Sequence, residues 1–126
     1  MQMSDPYDPN KPWPTELRLK DKGKILAVTF DNGEAFEFSA EFLRVESPSA
    51  EVKGHGPGQE VTVAGKRNVA ILSIEPVGNY AAKLFFSDNH STGLYAWSNL
   101  LTMGRTQDEM WQAYLGKLEA EGKSRD

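Results

Sequence analysis

The chain has 126 residues and a mass of 14.0 kDa, enough for one domain once its polar ends are set aside. It has no cysteine, which excludes disulfides, thiolate metal ligands and a cysteine nucleophile together. A net charge of -4 and a pI near 5.2 argue against attraction to phosphate backbones, and no run approaches the roughly 18 apolar residues of a membrane span.

Residues 1–14, MQMSDPYDPNKPWP, carry four of the seven prolines, which fix φ, remove donors and push their neighbours away from helix. The expectation is a flexible arm, with Tyr7 and Trp13 as its only anchoring side chains. It contains no apolar leader, so cytoplasmic residence is expected. Leu17 and Leu19 alternate with Arg18 and Lys20, the period of a strand with one buried face. After the turn DKGK, residues 25–30 place Leu26, Val28 and Phe30 inward. Asn32-Gly33 predicts a type I′ hairpin turn into residues 35–38, with Phe36 and Phe38 on the core face. Ser39 is the N-cap of a short helix, AEFLRV, whose Phe42, Leu43 and Val45 cover the sheet edge while Glu41 faces the positive helix end.

Residues 47–68 hold four of the eleven glycines and two prolines, so a long surface loop is expected, with Lys53, His55, Lys66 and Arg67 as a basic rim. Residues 69–75 are apolar on both alternating faces and read as a central strand. Pro76, Gly78 and Asn79 turn the chain into residues 80–86, where Tyr80, Ala82, Leu84 and Phe86 share a face. Ser87 to Ser91 form a polar turn, and Thr92, Leu94 and Ala96 begin the next alternation. WSNLL from Trp97 to Leu101 suits one face of a short helix with Gly104 as its C′ residue. Thr106 and Glu109 then make a capping box, opening a helix with a stripe of Met110, Trp111, Tyr114, Leu115 and Leu118. The fold class is therefore α+β, an antiparallel sheet of short hairpin-connected strands packed with a C-terminal amphipathic helix. The organisation is an arm at 1–14, a domain at 15–120 and a polar tail at 121–126.

Three stretches, LRVESPSAEVKGHGPGQ from Leu43, GKRNVAILSIEPVGNYAAKLFFSDNHSTGLYAW from Gly65 and LLTMG from Leu100, resemble the DUF971 family. This is a family of small bacterial proteins of unknown function, similar also to the N-terminal domain of gamma-butyrobetaine hydroxylase. With TELRLKDKGKILAVTFDNG the resemblance spans Thr15 to Gly104. It implies a non-catalytic domain, since in those hydroxylases the iron and 2-oxoglutarate chemistry belongs to a separate barrel whose His-x-Asp this chain lacks. It also implies Zn or Fe as the cofactor to consider. The relatives' zinc site uses three cysteines and a histidine, and these positions fall near Ser47, Ser49 and Val52 and on His90. Ser and Val supply no thiolate, so only His90 carries over. Similar domains fused to P-loop scaffolds of iron-sulfur assembly imply a protein partner in that machinery.

The residues themselves leave two readings open. His55, Asp88 and His90 offer two imidazoles and a carboxylate to a metal if the long loop folds over the 87–91 turn. Alternatively His55, Arg67, Tyr95 and Trp97 are partner-binding residues, aromatic anchors beside an adaptable loop. Catalysis has little to stand on: Ser91 and Ser98 near His90 lack an orienting group and an oxyanion hole, and no G-x-S-x-G elbow or phosphate-binding glycine loop is present. Lys53, Lys66 and Arg67 are too few for nucleic acid on an acidic chain.

Overall fold

Alternating apolar residues build two antiparallel three-stranded sheets rather than one. The computed structural model describes residues 12–47, 62–91 and 93–126. The first sheet has the order β1-β2-β3, from Pro14–Lys20, Ile25–Phe30 and Ala35–Ser39. The second has the order β4-β5-β6, from Ile71–Val77, Ala81–Phe86 and Leu94–Ala96. Between the sheets comes α1 (Ala40–Val45), and after them α2 (Trp97–Arg105) and α3 (Gln107–Ala120). The arm's start, up to residue 11 and including Tyr7, lies outside the described residues. So does most of the long loop, with Lys53 and His55, and so does Thr92. Trp13 and Pro14, expected in the arm, already belong to the domain: the Asp31 N–H donates to the Trp13 carbonyl, and Pro14 pairs with Phe30.

Both sheets feed one core. Leu26, Val28, Phe30 and Phe38 from the first meet Ile71, Ala82, Leu84, Phe86 and Tyr95 from the second, with Phe42 and Leu43 of α1 and Leu100, Leu101 and Met103 of α2. The inward sets expected in β2 and β3 are thus found, Phe36 being partly buried at the margin. Ser39 caps α1 as expected, accepting from the Phe42 N–H at 3.0 Å. In α3 the expected stripe is also present. Met110 and Trp111 reach the sheet core, while Tyr114 and Leu118 pack on Val45 and on residues 63 and 64.

Several local expectations are corrected. The β2-β3 turn has positive φ at Gly33 alone, whereas type I′ demands it at Asn32 as well. The Gly33 N–H donates to the Phe30 carbonyl and the Phe30 N–H to the Glu34 carbonyl, the pattern of a three-residue loop closed by a left-handed glycine. The stretch expected as a central strand is an edge strand. A register shift between Ile71 and Ser73 turns Leu72 out to 66% exposure, and Pro76, expected in the turn, sits inside β4, where an edge tolerates its missing donor. Leu94 faces outward and Tyr95 inward, the reverse of the phase expected for β6. The Thr106 hydroxyl makes no capping box and instead donates to the Thr102 carbonyl at 2.8 Å, Thr106 being the single residue between α2 and α3.

Gly104 is not a C′ residue either, since α2 continues through it and its missing side chain makes room for the Phe36 ring. A Cβ there would lie 2.5 Å from Phe36 ring carbons. Gly104→Ala is expected to destabilise the protein by about 1–2 kcal/mol, overpacking outweighing the better helix propensity. In α3, Gly116 has nothing within 4 Å of that position, so Gly116→Ala is expected to stabilise by up to about 1 kcal/mol. Urea denaturation of both variants checks the opposite signs.

Candidate functional site

The turn between β5 and β6 repeats the geometry of the β2-β3 loop with asparagine in the glycine's place. The Phe86 N–H donates to the His90 carbonyl at 3.0 Å, the Asn89 N–H to the Phe86 carbonyl at 3.0 Å, and Asn89 has φ 70°. Asparagine tolerates that conformation better than other side chains. The turn is also clipped to the chain before β4: the Ser87 N–H donates to the Ala70 carbonyl at 2.8 Å, and the Ala70 N–H to the Ser87 hydroxyl at 3.0 Å. Asp88 and His90 are therefore presented on a firmly seated loop.

Asp88 faces two cations. Arg44 Nε, from the last turn of α1, donates to its Oδ2 at 2.8 Å, and Lys66 Nζ donates to the same oxygen at 2.6 Å. Its Oδ1 accepts from the His90 N–H at 3.3 Å. Burial alone would raise its carboxyl; the hydrogen bonds from Lys66 and Arg44, the Arg44 charge and the His90 amide outweigh that and hold it at about 2. The Arg44 side chain is only 4% exposed, so this pair belongs to the interior on one side and reaches the surface on the other.

His90 is buried, and its Nε2 lies 2.9 Å from Ser47 Oγ, a hydrogen bond whose donor follows from the imidazole tautomer. Ser47 itself is 0% exposed. The Tyr95 hydroxyl donates to the Leu43 carbonyl at 2.5 Å, and burial, opposed by the Ser47 side chain, raises its ionisation well above the usual tyrosine range. Ser47, near which the resemblance puts a cysteine of the relatives, presents a hydroxyl to His90. The network joins the end of α1 to the β5-β6 loop and to β6.

The sequence-predicted residues divide accordingly. Asp88, His90 and Tyr95 are brought close to one another through Arg44, which nothing in the sequence marks as their partner, and through Ser47, which only the resemblance sets near His90. Tyr95, expected as a docking aromatic, is corrected to a core residue at 1% exposure. Trp97 lies past the other end of β5, where its Nε1 donates to the Asn79 carbonyl at 2.9 Å and its N–H to the Tyr80 carbonyl. The six residues of β5 separate it from His90. Arg67 is exposed and pairs with Asp126. His55 lies outside the described residues, so the triad of His55, Asp88 and His90 is not assembled among them. Among the described residues no three His, Cys, Asp or Glu side chains converge. Asp88 in this setting does not fit a Zn or Fe ligand, because a dication at its oxygens would stand against Arg44 and Lys66.

The polar tail is also part of the structure. The Gly65 N–H donates to the Ser124 carbonyl and the Arg67 N–H to the Arg125 carbonyl, both at 3.0 Å, so residues 122–126 run beside residues 62–67. Among the described residues, no helix is long and apolar enough to cross a membrane.

A family model for the gamma-butyrobetaine hydroxylase-like N-terminal domain matches residues 17–101. No curated protein matches the chain. Among solved structures, two NMR solution structures superpose with a TM-score of 0.79 each. One is 49% identical, covering 94% of this chain and 89% of its own; the other is 42% identical, covering 91% and 90%. A crystal structure of a DUF971 protein of unknown function from Acidithiobacillus ferrooxidans is 34% identical, with a TM-score of 0.57 over 70% of this chain and 88% of that one.

Proposed function

Because the chain belongs to the gamma-butyrobetaine hydroxylase-like N-terminal family, we propose that it is a cytoplasmic, non-catalytic module that binds a protein partner and carries out no reaction of its own. The observation that supports this reading is the state of the hydroxyl-imidazole pair at the site. Ser47 Oγ is fully enclosed, so it presents no nucleophile to a substrate, and its contact with His90 ties α1 to the β5-β6 loop. The neighbouring carboxylate is charge-balanced by Arg44 and Lys66 rather than poised near neutrality as a general base would be. The side chains that carry chemistry elsewhere are used here to brace a scaffold. The partner class that the resemblance implies is the iron-sulfur assembly machinery, with the P-loop scaffold as its first candidate.

Binding of the full chain to a purified P-loop iron-sulfur scaffold, followed by titration calorimetry, tests the reading, alongside metal analysis of the untagged protein. Saturable binding without bound metal is the expected result. Turnover of a small substrate by the pure chain, abolished by His90→Ala, would overturn it. Stoichiometric Zn or Fe lost on the same substitution would favour the metal-binding reading instead.

A further inference from the structure

The cleft between α1 and α3 holds an arginine in a way that its neighbours alone do not require. Arg125 Nε donates to Glu41 Oε2 at 2.8 Å and Arg125 Nη2 to Glu41 Oε1 at 2.7 Å, a two-pronged contact with both carboxylate oxygens. The guanidinium carbon lies 5.1 Å from the centre of the Trp111 ring, so the planar cation meets an aromatic wall as well as an anion. The Glu41 side chain is 5% exposed although it stands in the first turn of a six-residue helix. A carboxylate buried to that degree is costly unless a cation accompanies it. Beside the guanidinium the cleft remains open, about 310 Å³ in volume, lined further by Ser39, Phe42, Gln107 and Asp108.

The segment that delivers Arg125 has further anchors. Besides Arg125, it is fixed by the two backbone hydrogen bonds to Gly65 and Arg67, by Lys123 Nζ donating to the Thr62 carbonyl at 3.1 Å and by backbone closure of the α3 end. Asp126 adds an exposed pairing with Arg67. Backbone pairing along a strip, one side-chain anchor in a pocket and a flanking acidic residue on a surface arginine together form a peptide-recognition arrangement. Backbone contacts of this kind accept many sequences, whereas the anchor selects one.

We propose that the cleft formed by Glu41 and Trp111 is a recognition site for an arginine followed by an acidic residue on a partner's peptide segment, and that residues 122–126 occupy it in cis as a competing ligand. The proposal rests on the partner-binding reading above and gives that partner a chemistry and a place. It also gives Arg67 a role, because its N–H and its guanidinium hold the backbone and the acid that flank the anchor. Partner binding then requires displacement of the chain's own tail, so apparent affinity is lowered by the fraction of molecules whose cleft is filled.

The test uses the full chain with Arg125→Ala, which removes the tail's guanidinium from Glu41 and Trp111 and leaves only its remaining contacts for a peptide to displace. The probe is a fluorescent peptide, acetyl-Glu-Gly-Lys-Ser-Arg-Asp, with a second peptide carrying lysine for its arginine. The Arg125→Ala protein is expected to bind the arginine peptide at least about tenfold more tightly than wild type, and the lysine peptide about tenfold more weakly than the arginine one, since an ammonium cannot bridge both Glu41 oxygens. Adding Glu41→Gln is expected to remove binding of both. Should Arg125→Ala fail to fold by circular dichroism, Arg125→Lys keeps the charge but loses the fork, and it is expected to bind the arginine peptide more tightly than wild type by a smaller factor. Equal affinity of Arg125→Ala and wild-type proteins, equal affinity for the two peptides, or no binding by a folded Arg125→Ala protein overturns the proposal. If the iron-sulfur scaffold still binds the Glu41→Gln protein with undiminished affinity, the cleft is excluded while partner binding stands; loss of scaffold binding by wild type itself would remove the functional reading instead.

Discussion

Asp88→Ala is expected to lower the unfolding free energy by about 3 kcal/mol at pH 7, the range seen when one member of a buried ion pair is deleted. Arg44, 4% exposed, would keep its charge inside the protein with the Asp88 carboxylate gone, and Lys66 would lose the same oxygen. The pH dependence separates this from a packing effect. Asp88 titrates at about 2 in the folded chain against an ordinary 3.8, so it binds protons less readily when folded than when unfolded. The stability it contributes is therefore complete above about pH 4 and is lost as the pH falls through about 2, roughly 2 kcal/mol in all. The gap between wild type and Asp88→Ala should narrow by that amount between pH 6 and pH 2. Glu34, held at about 2 chiefly by its hydrogen bond from Arg105 and then by that from Asn32, weakens over the same window in both proteins and cancels from the comparison. Urea titrations at several pH values check this, and a gap that stays constant down to pH 2 would show that the ion pair is not what the substitution removes.

The parts of this structure that are legible in the sequence are those in which period and local chemistry agree. The alternation of Leu26, Val28 and Phe30, the Ser39 cap and the stripe from Met110 to Leu118 each involve neighbours a few residues apart, and each is found. What depends on distant partners is not legible in period or local chemistry, and only the resemblance hints at one such pair, Ser47 with His90. Arg44 and Asp88 are separated by 44 positions, Ser47 and His90 by 43, and Glu41 and Arg125 by 84, so no short window of sequence contains any of these pairs. The polar turn stands out in the sequence, because Asp and His in a short loop interrupt two apolar runs. Its environment does not, because a chain that sends Arg44 and Ser47 inward from the end of α1 looks locally like one that leaves them in water. The division into two sheets is hidden for a related reason. Strand periodicity reports which face of a strand is apolar and is silent about which strand it joins, so residues 69–75 read as central although the strand order leaves β4 at an edge, with a bulge at Leu72.

Gly23→Ala is the second large effect, expected to cost about 3 kcal/mol or more, the sum of a conformational and a steric penalty. Gly23 closes the turn between β1 and β2 at φ +86°, after Asp21 and Lys22 have already taken positive φ at 52° and 57°. A side chain in that conformation costs about 1–2 kcal/mol by itself. Sterics cost more: a Cβ on Gly23 would be driven into the backbone carbonyl of Ile71, the first residue of β4, so the first sheet rests on the second at a point where neither can yield without moving a strand. Overpacking against backbone adds about 1–3 kcal/mol. Gly33→Ala separates the two penalties, since Gly33 has φ +93° but nothing within 4 Å, and it should lose only the conformational part. Equal losses at the two positions would mean that the contact between sheets carries no weight. A larger loss at Gly23 has a consequence for the site, because Ile71 adjoins Ala70, whose N–H and carbonyl hold Ser87 and with it the loop of Asp88 and His90. Displacing β4 from Gly23 should therefore loosen Asp88 from Arg44, and the Gly23→Ala protein should show a weaker acid dependence between pH 4 and pH 2 than wild type does.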